Sequence, residues 1–143
     1  MIDERLKHPD AYPHWTDDTL RFGDTDLLGH INTASYVTYC DTARLTLCIE
    51  LGIIGEKLTT AAVVARTTVN LLRELFAPGQ VRIGTGILHT GTSSFTIAQG
   101  LFSQSECAAV AETVLVHFSK AARRPAPISA ELAERLRKVA IRR

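Results

Sequence analysis

Arg21-Phe22-Gly23-Asp24-Thr25-Asp26-Leu27-Leu28-Gly29-His30-Ile31-Asn32 decides how the rest of this chain is read. The stretch packs two carboxylates, a histidine and two glycines into one loop, and a helix pattern follows it directly. A short apolar strand is expected to lead in from about Thr19 to Phe22. Beyond the loop, Val37, Cys40, Ala43, Leu47 and Leu51 recur at spacings of three or four, which predicts a helix from about Thr33 to Leu51. Asn32 suits its N-cap and Gly52 its stop. The first N–H groups of a helix lack internal partners, so a carboxylate held beside them shares space with ready donors. Such donors polarise a carbonyl while the carboxylate attacks it or activates a water, a layout suited to acyl transfer. Asp24 and Asp26 lie two positions apart and point to opposite sides of an extended segment. The loop-bonding role suits Asp24. For Asp26 the residues alone leave both loop capping and catalysis open.

The remainder reads as strands. Val63, Ala65, Thr67, Val69 and Leu71 alternate with polar neighbours, as do Val81, Ile83, Thr85 and Ile87. Phe95, Ile97 and Leu101 form a third set, and Val110, Val114, Val116 and Phe118 a fourth. Turn residues separate them at Pro78-Gly79, Gly91-Thr92 and Ser103 to Glu106. One helix followed by consecutive antiparallel strands predicts an α+β domain with one sheet face on the helix. Residues 1–18, with Pro9, Pro13 and Trp15, read as an irregular lead-in. Ser129 to Arg143 reads as a second, exposed helix capped by Ser129, with a narrow stripe of Leu132, Leu136 and Val139.

The 143 residues suit a single domain spanning the whole chain. Apolar residues make up 45%, charged ones 22%, and the formal net charge is +1, which argues against disorder and against a charge field for nucleic acid or membrane. Cys40, Cys48 and Cys107 include no Cys-x-x-Cys and read as reduced thiols of a cytoplasmic protein. No signal peptide or membrane-length apolar run is apparent. The five histidines (His8, His14, His30, His89, His117) are scattered without metal-ligand spacing, and no phosphate-cradling glycine loop follows a strand. No Gly-x-Ser-x-Gly elbow marks a serine nucleophile. No metal or bound cofactor is therefore expected, and no nucleic-acid partner.

Asp24-x-Asp26-x-x-Gly29-His30-Ile31-Asn32, followed by Ala34-x-Tyr36-x-x-Tyr39 and Ala43-Arg44, resembles the signature of hotdog-fold acyl-CoA thioesterases, in particular the 4-hydroxybenzoyl-CoA thioesterase-like branch. Later echoes are Arg73-Glu74-Leu75-Phe76-Ala77-Pro78-Gly79, Gly91-Thr92-Ser93-Ser94-Phe95 and Arg123-Arg124-Pro125. Thr33 departs from the second asparagine that many members carry, so the resemblance speaks to family more than to substrate. It implies a sheet wrapped around the long helix. It also implies Asp26 as nucleophile or general base, the Thr33 amide as oxyanion donor, and His30, Asn32 and Ser94 shaping the site. Gly29, Tyr36 and Ser93 would contact substrate, while Arg73, Arg123 and Arg124 suit the phosphates of coenzyme A, which enters as part of an acyl-CoA substrate. The resemblance further implies a homodimer, or a tetramer of two dimers, with sites at the subunit interface. Two other functions fit the same pattern: a non-catalytic module that binds acyl-CoA, and a thioesterase for acyl carrier protein. Asp41 and Glu50 are rival carboxylates, because other hotdog branches keep the acid on the helix.

Overall fold

The expected helix forms as α1, Thr33–Glu50, in a computed structural model that describes residues 2–143. Asn32 caps it: its Oδ1 accepts from the Ser35 N–H at 3.0 Å. Leu51 ends it and Gly52 follows at φ 71°, a left-handed position that glycine takes without a Cβ clash. The buried face is Tyr36, Tyr39, Cys40, Ala43, Leu47 and Cys48, rotated slightly from the expected stripe, because Val37 and Leu51 are only half-buried. The two tyrosines take the deep positions instead, each removing more apolar area from water than a valine would.

Six strands form one antiparallel sheet against this helix. They are β1 (His14–Leu20), β2 (Thr60–Leu71), β3 (Gly79–Thr90), β4 (Ser94–Ser103), β5 (Glu106–Ser119) and the short β6 (Arg124–Pro125). Their order is β1-β3-β4-β5-β2, with β6 beside the end of β5. This is the α+β hotdog architecture, a curled sheet holding one long helix. The inner face contributes Val81, Ile83, Ile97, Leu101, Ala109 and Leu115 to the core under α1. One polar tether crosses that core. Gln99, fully buried, donates from Nε2 to the Cys40 carbonyl at 2.9 Å and to Thr85 Oγ1 at 3.2 Å, fixing helix to sheet.

Four expectations need correction. The first strand runs from His14 to Leu20, earlier than the expected Thr19 to Phe22, and Phe22–Asp24 forms a 3-10 turn. Asp17 and Asp18 hid it. They survive in a strand because β1 is a sheet edge with one side open to solvent, and Asp18 is paired with Arg21 at 2.8 Å. In β2, a bulge between Val64 and Arg66 shifts the alternation, so Val64 rather than Val63 shares the inner face with Thr67, Val69 and Leu71. In β5, the inner face carries Ala111, Thr113, Leu115 and His117, while Val114, Val116 and Phe118 face outward and are half-buried. An internal strand flanked on both edges and apolar on both faces offers no alternation to read.

The fourth correction concerns both ends of the chain. The C-terminal helix, α2 (Ala130–Lys138), is not freely exposed: Leu132 and Leu136 are buried with Cys48, Ile87 and Phe95. Ser129 caps it as expected, accepting from the Leu132 N–H at 3.1 Å. The lead-in is also ordered, with 3-10 turns at Glu4–Lys7 and Pro9–Ala11 that lay Leu6 and Tyr12 on the outer sheet face with Phe102 and Val110. Gly84 and Gly100, opposite one another in β3 and β4, make that approach possible. A Cβ on Gly84 would lie 2.5 Å from Tyr12 Cγ, and one on Gly100 would lie 2.8 Å from the Tyr12 hydroxyl. After α2 the chain joins this layer, with the Ile141 N–H donating to Ile87 O and the Arg142 N–H to Ala11 O, both at 2.8 Å.

The three cysteines are free. Burial pushes the Cys40 thiol up to about 12 and the Cys48 thiol up to about 11, with Arg44 opposing both shifts. Neither thiol is expected to react with a thiol-specific chromogen in native protein at neutral pH, and both should react once the chain is denatured; fast labelling of Cys48 in folded protein would contradict its burial. Gly84→Ala should lower the unfolding free energy by about 1–3 kcal/mol through overpacking against Tyr12. The same substitution in a Tyr12→Ala background should cost less, as denaturant melts of the four proteins would reveal.

Candidate active site

The loop before α1 is built around the Asp26 carboxylate. Asp26 Oδ1 accepts from the backbone N–H groups of Leu28 at 2.9 Å and His30 at 3.1 Å. The Asp26 N–H donates to His30 O at 2.8 Å, and Gly29 turns the chain back at φ 84°. Oδ2 makes no hydrogen bond among the described residues, and the residue is exposed. One oxygen of this carboxylate therefore organises the loop while the other stays available.

Pairings on both sides pin the loop in place. Asn32 N–H donates to Asp24 O at 2.9 Å, and Ile31 N–H to Leu75 O at 2.8 Å, while His30 bridges to Phe76. Asp24 has the structural role expected of it. Its Oδ2 accepts the Tyr39 hydroxyl at 2.5 Å and the Arg21 N–H at 3.2 Å. Burial, reinforced by that neighbouring carboxylate, holds the Tyr39 phenol well above its ordinary range. The rival helix carboxylates are also engaged elsewhere, Asp41 with Arg44 at 2.6 Å and Glu50 with His14 at 2.9 Å.

Asp26, His30, Thr33 and Tyr36 come together in one cleft of about 280 Å³, closed on its other side by the segment from Leu71 to Glu74. Thr33 is the first residue of α1, and its N–H has no acceptor among the described residues. Tyr36 is buried and donates its hydroxyl to Arg73 O at 3.0 Å, so it ties helix to strand end as well as lining the cleft. Burial raises its phenol pKa. The His30 ring does not bond Asp26. It lies 3.6 Å from a Glu74 oxygen and meets the Phe76 ring edge-on at 5.2 Å. Arg73 borders the cleft with its guanidinium paired to Glu106. Asn32 stands behind it as the helix cap.

Ser93, Ser94, Arg123 and Arg124 are not brought to this cleft within one chain. Leu71 stands opposite Ala109 and Ser94 opposite Val116, seven positions apart along β5 (116 − 109). At the usual rise that is a path of about 23 Å. Arg124 pairs opposite Ser119, farther along the same direction, and Arg123 takes a left-handed turn at φ 54°. Glu74 and Phe76 are site neighbours that sequence reasoning passed over. Their only signal was membership of the Arg73 to Gly79 echo, which drew attention to the arginine alone.

Clusters of histidine, cysteine and carboxylate suited to a metal are absent among the described residues, and no described helix is long and apolar enough to cross a membrane. The chain is similar over 92% of its length to the PA5185 protein from Pseudomonas aeruginosa, with 26% identity, 94% of that chain covered and a TM-score of 0.84. It is also similar to a thioesterase from Thermus thermophilus solved in complex with coenzyme A and zinc, at 30% identity, with 90% of this chain and 94% of that one covered and a TM-score of 0.77. A curated relative, the uncharacterized protein YsmA of Bacillus subtilis, is 29% identical over 79 residues, which is 55% of this chain and about half (54%) of that protein. The model of the thioesterase-like superfamily matches residues 20–136, from the end of β1 to α2, and so takes in the whole Asp26 cleft. The chain thus belongs to the thioesterase-like superfamily and shares the hotdog fold.

Proposed function

We propose that the chain hydrolyses the thioester of an acyl-CoA to the free acid and coenzyme A, with Asp26 as nucleophile or general base and the Thr33 N–H as oxyanion donor. The observation that carries this reading is the unpaired Asp26 Oδ2 in the same cleft as the unpaired first N–H of α1. A thioester carbonyl is already electrophilic, so a carboxylate and one well-aimed donor supply most of what the reaction needs. In direct attack, Oδ2 bonds the carbonyl carbon, the C–S bond breaks, and the thiolate leaves and takes a proton from water. Water then opens the mixed anhydride. In the alternative, Oδ2 takes a proton from a water that attacks the same carbon. The coenzyme A bound by the Thermus thermophilus relative supports a CoA ester as substrate.

The proposed working unit is a homodimer across β2. That strand is a sheet edge, and along it Val63, Val64, Leu71 and Leu72 are exposed. If two copies pair antiparallel about its middle, Leu71 of one lies beside Thr60 of the other. Thr60 stands opposite Ser119 in its own chain, next to the turn that carries Arg123 and Arg124. A neighbour's arginines would then reach the Arg73 side of the cleft, suited to the phosphates of coenzyme A.

Asp26→Asn keeps an oxygen for the Leu28 and His30 N–H groups while removing the charge. It should lower coenzyme A release from the best of a panel of short, medium, long and aromatic acyl-CoAs by about a hundredfold, or ~3 kcal/mol of transition-state stabilisation. Binding of acyl-CoA without release by the wild-type protein would replace the enzyme with a binding module. Light scattering should give a dimer mass or a multiple of it. Arg123→Glu with Arg124→Glu should raise KM for the acyl-CoA by about tenfold or more while kcat changes little.

A further inference from the structure

Phe76, whose ring meets His30, also lines a second cavity of about 530 Å³ on the far side of the Leu75–Phe76 segment. Its size falls within the range of small-molecule sites, roughly 300–1,000 Å³. Trp15, Phe102 and Leu20 supply apolar lining, with the Trp15 ring tilted on Phe102 at 5.6 Å. Among the described residues, Arg82 supplies the only charge. Its guanidinium carbon lies 4.4 Å from the Trp15 ring centroid, and no described carboxylate lines the cavity. Asp17 stands opposite Arg82 in the β1–β3 pair and reaches its Nε at 3.4 Å, but the pair is more than half exposed and so offsets only part of the charge. The two terminal nitrogens of the fork have no hydrogen-bond partner among the described residues.

Gln104 and Ser105 line the rim as the tight two-residue turn between β4 and β5, with the left-handed φ of 52° and 68° that such a turn requires.

We propose that this cavity binds an apolar monocarboxylic acid, with its carboxylate on the free face of the Arg82 fork and its body against Trp15 and Phe102. The open edge between the two terminal nitrogens matches a carboxylate, whose single charge this arginine can meet beside its weak surface pair with Asp17. A nucleotide polyphosphate would bring several charges to a site with a single counter-charge. The proposal goes beyond the hydrolysis reading and does not depend on it.

Trp15 is the only tryptophan in the chain, so its emission reports on this cavity directly. Titration of the full-length protein with octanoate and with benzoate should give a saturable change, with octanamide and benzamide binding about tenfold or more weakly. Arg82→Leu should weaken acid binding by a similar factor, and Asp26→Asn should leave it unchanged. Three results would overturn the proposal: no saturable change with either acid, equal binding of acid and amide, or acid binding that survives Arg82→Leu. Loss of binding in Asp26→Asn would also overturn it, since the acid would then occupy the cleft beside α1. Arg82 is exposed, so its substitution does not endanger folding. The amide comparison needs no variant at all.

Discussion

One constraint, the position of the first turn of α1, places both sides of the Asp26 cleft. Asn32 fixes it from three directions, capping Ser35 through its side chain, donating its own N–H to Asp24 O, and following Ile31, whose N–H is held by Leu75. A cap of this kind contributes about 1 kcal/mol to stability. Its effect on geometry is larger, because the Thr33 N–H and the Asp26 loop are both placed relative to that turn. Tyr36 and Tyr39 then set how deep the helix start sits, one bonded to Arg73 O and the other to Asp24. Hydrogen bonds tie the helix start, the base of the loop and the strand end together at the cleft.

Much of this was legible in the residues. The motif from Asp24 to Asn32, the long helix with its cap and the turn signals between strands stand in the sequence and in the fold alike. Local chemistry set them, and local chemistry can be read. Legibility failed where tertiary context decided. Val114, Val116 and Phe118 look like a core set, yet the register of β5 against β4 and β2 turns Leu115 and His117 inward instead. Asp17 and Asp18 argue against a strand until its place at the sheet edge is known. Leu132 and Leu136 form a stripe too narrow to reveal that Cys48 and Phe95 wait to cover it.

The candidate site divides along the same line. Asp26, Gly29, His30, Asn32 and Thr33 are contiguous, and their nearness follows from the chain itself. Tyr36 and Arg73 join through one helix turn and one strand end. Ser93, Ser94, Arg123 and Arg124 resemble the family pattern but sit at the other end of β5, so they bear on the cleft only through the proposed dimer. Sequence motifs report which residues a family keeps. They do not report which subunit delivers each one.

The layer on the outer sheet face has a bearing on how the molecule opens. Tyr12 rests on a glycine pair, Ala11 receives the Arg142 N–H, and Ile141 is bonded to the edge of β3. The two ends of the chain therefore hold each other down, and neither can fray without exposing the partner it covers. Local opening should be concentrated at the tip of the Asp26 loop, the exposed Leu27 and Leu28, where few apolar contacts resist it. That tip adjoins the Asp26 cleft, while the paired chain ends act as a clasp on the outer sheet face.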